Sequence, residues 1–561
     1  MNKKIKILIL LLILGVFGLF TYSMYNANKK QQIEEQTIIY NLGLIPQSLD
    51  PHLFNELISL QVDSTIYESL LRLDEKGNIT GGVAEIVSET NESITFKIRN
   101  NAKWSDGTKI TANDFVFGIK RALDDKVAAQ YSEMLFPIKN AEKYYNVKGV
   151  GVELGVNAID EQTLKIDLER ATPYFKYILT LPISAPIKES FYKESGKNFS
   201  IDIKGFLFNG PYKITKLSDT EIILDKNENY WNAKNIKIPR IKYTVIEDFK
   251  ATDTMIKNGE IDMSRVENYR LNEYKKDGTL DTYINGRIWY LDFNVYNDNL
   301  KNIKLRKAIS LVIDRAKYVN EIKKDGSTIA KSIISNVISG YNGKFRNEYP
   351  DIEYFKDNDV EQGKKLYNEA LNELGKNKLT IRLLSGNSEP ERREIQFIQE
   401  ELRVKLGIEV KVEVVSFKDR LARTRAGDYD IVLNTWSPKY DDVTTYLNRW
   451  FKEDSKEKIT TSWSKKEYND IVKRIGEMQG SLERDKFASQ AERIVIDEAV
   501  ISPLYFSVEN HYINKNIKIL YVEDDEIARE NGVEYLQNFF EQIYEASDAI
   551  KALQLYEKYQ P

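Results

Sequence analysis

The sequence predicts an α/β protein that folds as two lobes with several crossovers between them. Strand-like runs and amphipathic helical runs follow one another from about residue 37 to residue 515. The chain has 561 residues, which is too long for one ordinary domain. Its 42% hydrophobic and 30% charged residues are typical of a soluble globular chain with a large core.

The N-terminus has the pattern of an export signal. Lys3, Lys4 and Lys6 precede an uncharged run from Ile7 to Tyr25, which is close to the roughly 20 residues that a membrane-spanning helix needs. Basic residues before such a run place the following chain outside the cell membrane. Two interpretations stay open, an uncleaved anchor and a signal peptide that is cleaved near Ser23. Either predicts that the chain after about residue 35 is extracytoplasmic.

The composition argues against several classes of function. The chain has no cysteine, which excludes disulfides, thiolate zinc sites, cysteine nucleophiles and a lipidated cysteine. A histidine-dependent enzyme or metal site would have to use His52 or His511. The net charge is −4, and the dense basic cluster is confined to the N-terminus, which does not favour nucleic acid. We therefore expect no enzymatic activity and no cofactor, and we expect the chain to be a monomer.

Local patterns predict individual elements. In "TANDFVFGIKRAL", Thr111 is a candidate N-cap, and Phe115, Ile119 and Leu123 recur at helical spacing. The run "KLTIRLLSG", the helix "EPERREIQFIQEELRVKLG" and the run "IEVKVEVVSF" predict a β-α-β unit. In "WSDGT" the Asp-Gly pair predicts a tight turn beside a buried Trp104. The helix "LRKAISLVIDR" is predicted to turn four residues inward: Leu305, Ala308, Ile309 and Val312.

Several motifs together resemble the family 5 solute-binding proteins of ABC importers, the oligopeptide and dipeptide binders. The most specific is "ITFKIRNNAKWSDGTKITANDFVFGIKRAL", in which Lys103 to Val116 follow the family pattern closely. The segments "QSLDPHLFNELISLQVDSTIYESLLRLDEKGNI", "FNGPYKITKL", "NENYWN", "IKNGEIDM" and "YLDFNV" fall in the same order. The resemblance implies a two-lobed periplasmic-binding-protein-like fold of class II. It also implies delivery of a peptide or similar solute to the permease of an ABC importer.

The resemblance implies a division of the chain as well. We expect an anchor and linker, a first lobe with an inserted subdomain, a second lobe, a return to the first lobe, and a separate tail. The expected bounds are 1–36 for the anchor and linker, 37–300 for the first lobe with its subdomain at about 85–205, 301–505 for the second lobe, 506–518 for the return, and 519–561 for the tail.

The resemblance places the solute between the lobes, where peptide-binding relatives hold an extended peptide through its main chain. In these relatives, an aspartate in a "W-x-x-D-Y-x-x-P" segment binds the amino group of the peptide. This sequence has "TWSPKYDDVTTYL" there: Trp436 and Tyr440 match, but Lys439 replaces the aspartate and Val443 the proline. A lysine does not hold an ammonium group, because like charges repel.

Three interpretations of this difference stay open. Asp441 or Asp442 takes over the role of the aspartate. Alternatively, the ligand has no free amino end, and Lys439 faces a carboxylate or phosphate. In the third, Lys439 pairs with Asp441 or Asp442 and points away from the ligand.

Other residues are weaker candidates for the cleft. The resemblance places Tyr131 on the ligand, and it places the backbone of Leu44 to Gln47 alongside it. Ile45 and Pro46 lie in that segment, and Pro46 lacks the N–H that a strand-like hydrogen bond needs. Further candidates for the cleft wall are Asn294, Arg423 and Arg425.

The tail after residue 518 resembles the first half of a response-regulator receiver domain of flavodoxin-like fold. Its predicted strands are Ile519 to Val522 and "QIYEAS", and Glu523 and Asp524 match the acidic pair that helps to hold Mg²⁺. The phosphoacceptor aspartate would belong beyond Pro561, so we expect no working metal site here. One interpretation is a fusion, truncation or assembly accident. The other is a fragment of a sensor whose binding lobes serve two-component signalling.

Overall fold

The computed structural model describes residue 33 and residues 36–54, 56–74, 77–350, 354–451 and 463–515, together with the backbone of two strands at 519–522 and 543–546. Within these residues the strands, numbered in chain order, are β1 Thr37–Asn41, β2 Leu71–Leu73, β3 Ile79–Gly81, β4 Ala84–Thr90, β5 Ser93–Ile98, β6 Val156–Ala158, β7 Thr163–Asp167, β8 Tyr212–Leu217, β9 Glu221–Lys226, β10 Arg240–Thr244, β11 Met263–Arg265, β12 Leu280–Phe293, β13 Thr328–Ile329, β14 Ser339–Gly340, β15 Gly343–Lys344, β16 Thr380–Gly386, β17 Glu409–Val415, β18 Ile431–Trp436, β19 Ile501–Ile513, β20 Ile519–Val522 and β21 Ile543–Ala546.

The α-helices of the same residues are α1 Leu57–Ile66, α2 Ala112–Ala122, α3 Ala141–Asn146, α4 Phe175–Ile178, α5 Glu189–Ser195, α6 Phe249–Lys257, α7 Leu271–Asp277, α8 Ile303–Val312, α9 Arg315–Lys317, α10 Phe345–Glu348, α11 Val360–Leu374, α12 Glu389–Leu406, α13 Phe417–Ala426, α14 Thr444–Leu447, α15 Lys466–Glu477 and α16 Leu482–Asp497. A π-helical turn, Tyr318–Lys323, follows α9.

Two long antiparallel strands, β12 and β19, are shared by both lobes. The main sheet runs in the order β17-β16-β18-β12-β19-β11-β1-β10-β9-β8. The first lobe contributes the strands from β11 to β8, and the second lobe contributes β16, β17 and β18. Since β12 pairs with β18 and β19 pairs with β11, the sheet is continuous from one lobe to the other.

A break in the ladder lies where the shared strands pass between the lobes. The register of β12 against β19 shifts between Ile284 and Ile288. Gly286 lies inside this bulge with φ +71°, a left-handed conformation that favours glycine. The Tyr446 hydroxyl donates a hydrogen bond of 2.5 Å to the Gly286 carbonyl oxygen. We call residues 285–287 the hinge bulge.

The first lobe also carries a small antiparallel sheet in the order β4-β5-β7-β6, and its core includes residues of α2. Thr111 and Asp114 form a capping box at the start of α2. Phe115, Ile119 and Leu123 are fully buried, as predicted. Trp104 is buried too, and Gly107 of the "WSDGT" turn has φ +87°, so both predictions for this segment are confirmed.

The second lobe contains the predicted β-α-β unit. Strands β16 and β17 are parallel, and α12 connects them. Helix α8 buries the four residues that its spacing predicts: Leu305, Ala308, Ile309 and Val312. Their burial in the core beside β16 confirms the predicted inward face of α8.

His52 is a structural residue of the first lobe. Arg121 on α2 donates hydrogen bonds of 2.9 Å to Asp50 Oδ1 and to His52 Nδ1. All three side chains are buried. Burial, together with the positive charge of Arg121, lowers the pKa of His52 to about 3, so the imidazole is neutral at physiological pH.

Two sequence predictions lie outside the described residues. They are the membrane anchor at Ile7 to Tyr25 and the acidic pair Glu523 and Asp524. In the described part of the chain, no helix is long and apolar enough to cross a membrane. The same residues contain no group of three or more metal-ligating side chains placed around one point. The two predicted strands of the tail, β20 and β21, form and pair in parallel.

Acid should weaken the fold through His52. The pKa of this residue falls from 6.5 to about 3 on folding, so between these values the unfolded chain binds a proton that the folded chain excludes. The free energy of unfolding should therefore fall as pH falls through this window, by up to about 1.4 kcal/mol per pH unit. Urea titrations at several pH values should show a shallower dependence for His52→Gln than for the natural chain. Equal slopes would contradict this.

An alanine in the hinge bulge should destabilise the protein. A Cβ at Gly286 would lie 2.9 Å from Pro438 Cγ and from Val337 Cγ2. Gly375, which ends α11 at φ +63°, has open space around the same position. Gly375→Ala should cost about 1–2 kcal/mol for the left-handed backbone alone. Gly286→Ala should cost a further 1–3 kcal/mol or so for overpacking, measured by urea unfolding. A smaller loss for Gly286→Ala than for Gly375→Ala would refute this.

Candidate functional site

Four predicted site residues of the second lobe, Lys439 to Asp442, lie on the loop that follows β18, residues 437–443, which we call the site loop; Trp436 is the last residue of β18. The loop turns back onto α14, because Trp436 Nε1 donates a hydrogen bond of 2.7 Å to the Thr445 carbonyl oxygen. The Lys439 N–H donates a second one, of 2.8 Å, to Thr445 Oγ1. Pro438 packs over Gly286, so the site loop also rests on the hinge bulge.

The Lys439 side chain reaches across to the first lobe. Its ammonium lies 4.4 Å from the centre of the Tyr131 ring, 5.3 Å from that of Trp436, and 3.6 Å from Glu133 Oε1. The side chain is 25% exposed. Burial lowers the pKa of Lys439, although the Glu133 carboxylate acts in the opposite direction. The structure thus brings together three predicted site residues: Tyr131, Trp436 and Lys439.

The third interpretation, in which Lys439 pairs with Asp441 or Asp442, does not match the structure, because both aspartates bond to other residues. Asp441 accepts hydrogen bonds of 2.7 Å from the backbone N–H and from the hydroxyl of Ser339. Asp442 Oδ1 accepts from Arg484 at 2.9 Å and from the Thr444 hydroxyl at 2.6 Å. These partners lie within the second lobe, so both carboxylates hold the site loop in place.

Tyr440 makes a second contact with the first lobe. Its ring stacks on that of Tyr174, with centroids 4.8 Å apart and planes 6° from parallel. Tyr174 lies just before α4 and joins the first-lobe core. Burial raises the pKa of Tyr440 and raises that of Tyr174 to about 12, so both phenols are neutral. The site loop therefore meets the first lobe at two adjacent points.

Ile45 and Pro46 line a cavity of the first lobe. The cavity has a volume of about 840 Å³, within the range of small-molecule sites. Its other walls come from residues 47–49, 200–204 and 217–219. Ile45 is 43% exposed. The Gln47 N–H at the cavity edge donates a hydrogen bond of 3.2 Å to Glu56 Oε1. Phe54, two residues before Glu56, packs on Tyr131 with ring centroids 5.1 Å apart.

A cation of the hinge bulge borders the site loop. Arg287 Nε donates a hydrogen bond of 2.8 Å to Ser437 Oγ, and Arg287 Nη2 lies 3.9 Å from Glu509 Oε1 on β19. Asn285 donates to the same Glu509 oxygen at 3.1 Å. Burial lowers the pKa of Arg287, although the Glu509 carboxylate raises it.

Sequence reasoning missed Glu133, Tyr174 and Arg287. Glu133 is two residues from Tyr131, and this proximity was the one signal that could have found it. Nothing local distinguishes Tyr174 among the 34 tyrosines of the chain.

Two predicted wall residues have other duties. Asn294 donates hydrogen bonds to the backbone carbonyls of Gly427 and Tyr429. Arg423 pairs with Glu413 and Asp428. Arg425 is exposed on α13. These contacts of Asn294 and Arg423 lie away from the site loop's contacts with the first lobe.

Loss of the Tyr174–Tyr440 stack should open the lobes. Tyr174→Ala removes the stacked ring, whereas Tyr174→Phe retains it and serves as the matched control. Because the chain has no cysteine, Val150→Cys and Val404→Cys allow a dye pair on exposed positions of the two lobes. Single-molecule energy transfer should shift to longer distances for Tyr174→Ala only. Equal distance distributions for the alanine and phenylalanine variants would show that the stack does not hold the lobes together.

Comparison with known proteins agrees with this architecture. The family model of bacterial extracellular solute-binding proteins, family 5 middle, matches residues 78–458. The dipeptide-binding protein DppE of Bacillus subtilis is 28% identical over 496 residues, which cover 88% of this chain and 90% of DppE. The oligopeptide-binding protein OppA of the same organism is 28% identical over 524 residues, covering 91% and 95%.

Solved structures show the same fold. The substrate-binding domain of an oligopeptide ABC transporter from Bacillus anthracis is 30% identical, with a TM-score of 0.73, and the match covers 85% of this chain and 94% of that one. Listeria monocytogenes OppA bound to peptide is 27% identical, with a TM-score of 0.72 and coverage of 86% and 96%. The predicted two-lobed fold is confirmed, and the chain belongs to the bacterial extracellular solute-binding proteins of family 5.

Proposed function

We propose that this protein captures a peptide or a closely similar solute between its two lobes and delivers it to the permease of an ABC importer. The observation that carries the proposal is the site loop of the second lobe, which meets the first lobe at Tyr131, Glu133 and Tyr174 beside the hinge bulge. Clefts between lobes that close around a hinge can enclose a solute.

The position of the site agrees with the topology. In open α/β sheets, ligands bind outside the carboxyl ends of the strands. The site loop follows the end of β18 at Trp436, and the segment with Ile45 and Pro46 follows the end of β1 at Asn41. We propose that Ile45, Pro46 and Tyr131 form the first-lobe wall. Three residues then form the second-lobe wall: Trp436, Lys439 and Tyr440.

The relatives favour a peptide as the solute. DppE is a dipeptide-binding protein and OppA an oligopeptide-binding protein by name, and the Listeria structure holds a peptide. The same relatives favour transport over the alternative, a ligand sensor for two-component signalling. We propose the division predicted from the sequence, with lobes at 37–300 and 301–505, a subdomain at about 85–205 and a return at 506–518.

The surroundings of the protein follow from the same proposal. Solute-binding proteins of this family are extracellular by name, which supports a location of the lobes outside the cell membrane. We propose that the segment from Ile7 to Tyr25 either anchors the chain there or is removed as a signal. The expected partner is the permease of the importer, and no cofactor is needed for reversible capture.

The tail forms a separate part of the proposal. The parallel pairing of β20 with β21 supports a receiver-type segment, because the first two strands of a receiver-type sheet are parallel neighbours. We propose that this segment takes no part in solute capture. Glu523 and Asp524 would contribute to a Mg²⁺ site only in a complete receiver.

Isothermal titration calorimetry of the full chain with pools of peptides of two to six residues tests the function. A ligand at a hundred times its Kd should also stabilise the fold by about 2.7 kcal/mol, which raises the melting temperature. A chain that binds another solute tightly but none of the peptide pools would refute a peptide ligand.

A further inference from the structure

The Lys439 ammonium is an incompletely bonded cation between the lobes. An ammonium group has three N–H donors, but among the described residues its carboxylate partner, Glu133 Oε1, lies at 3.6 Å, beyond hydrogen-bond distance. The rings of Tyr131 and Trp436 stabilise the charge without accepting a conventional hydrogen bond. The side chain nevertheless retains a quarter of its exposure, so an acceptor in the cleft can reach it.

The neighbouring acids neutralise this cation only in part. Asp441 and Asp442 bond to Ser339, Thr444 and Arg484 instead. Glu133 is 54% exposed, so water screens much of its charge. The geometry around Lys439 therefore leaves room for one more anionic oxygen and is hostile to a second ammonium.

We propose that Lys439 selects the charge of the solute by accepting a carboxylate and excluding a free ammonium group. This inference rests on the proposed capture of a solute between the lobes. The backbone that carries Lys439 is held rigidly, because the site loop is hydrogen-bonded to Thr445, Ser339 and Arg484. A ligand ammonium brought to this point would meet a fixed like charge in a partly buried cleft.

The carboxylate could come from either of two parts of a peptide. One source is its carboxyl terminus, and the other is an acidic side chain. Both offer the same two acceptor oxygens to the ammonium of Lys439, so the test has to separate them.

A set of five tripeptide probes tests the proposal with the full chain. Four are the capping forms of Ala-Phe-Ala, with a free or acetylated amino end and a free or amidated carboxyl end. The fifth is Ala-Glu-Ala with both ends blocked. We expect the acetylated acid to bind at least about tenfold more tightly than the free-amine amide, a difference of about 1.4 kcal/mol. Tight binding of the fifth probe identifies an acidic side chain as a sufficient source; tight binding of the acetylated acid alone identifies the carboxyl terminus.

Variants of Lys439 provide the second arm. Lys439→Arg should keep the preference for the carboxylate, and Lys439→Met should abolish it. Lys439→Asp should reverse it by on the order of tenfold, since two carboxylates would then face the ligand. Lys364→Glu changes the net charge by the same amount on the exposed surface of α11 and should leave the preference unchanged.

Glu133→Gln separates a role in solute selection from a purely structural bridge between the lobes. Removal of the Glu133 charge should strengthen binding of the carboxylate probes, because Lys439 loses its resident partner. A purely structural bridge would instead weaken all five probes alike, and this would overturn the proposal.

Two further results are decisive and distinguishable. Equal affinity of the natural chain for the four Ala-Phe-Ala forms, or an unchanged preference in a folded Lys439→Asp variant, would overturn the charge selection alone. Failure of every probe to bind a chain with a normal melting temperature would overturn the proposed peptide function and this inference with it.

Discussion

The antiparallel pairing of β12 with β19 is the constraint on which the rest of the structure depends. Strand β12 pairs with β18 of the second lobe and β19 pairs with β11 of the first lobe, so a movement of one lobe against the other has to pass through the ladder that joins them. The register shift at the hinge bulge is the place where the ladder is already interrupted. Gly286 allows the backbone to pass there, and the site loop packs directly over it. Hinge and site are consequently neighbours in space.

The two sides of the site differ. The second-lobe side is held rigidly by hydrogen bonds, and the first-lobe side offers aromatic rings. Hydrogen bonds from Ser339 and Arg484 fix the site loop through its two aspartates. Across the cleft, Tyr131 and Tyr174 offer flat aromatic faces to Lys439 and Tyr440. Aromatic faces of this kind attract a cation without binding it in one position. The second lobe therefore supplies the positive charge of the site through Lys439, and the first lobe supplies the aromatic surface that this charge contacts.

Sequence reasoning predicted the elements that rest on local chemistry. The N-cap Thr111 and the inward face of α8 follow from the types of residues that lie within one helical turn of each other. The same holds for the turn at Gly107, which needs only the Asp-Gly pair. These features do not depend on how distant parts of the chain meet.

The details of the site depend on contacts between residues that are far apart in the sequence, so they could not be predicted from local patterns. Lys439 and Glu133 are more than three hundred positions apart. Nothing in the segment "TWSPKYDDV" indicates that Ser339 and Arg484 donate hydrogen bonds to the two aspartates, or that the lysine side chain is the one directed into the cleft. The resemblance to a family gave the location of the loop, and the packing of the lobes decided which residue faces inward.

The arrangement of the first lobe also governs when the chain is able to fold. Strand β11 is held between β1, near the start of the lobe, and β19, near residue 513. The sheet of the first lobe therefore stays incomplete until almost the whole binding region has been synthesised, because a nascent chain emerges from its N-terminus. Long-range pairing of this kind is slow to form. An exported chain benefits from the delay. It stays unfolded, and can therefore pass through a translocation channel, until β19, the last strand shared by both lobes, has emerged on the far side.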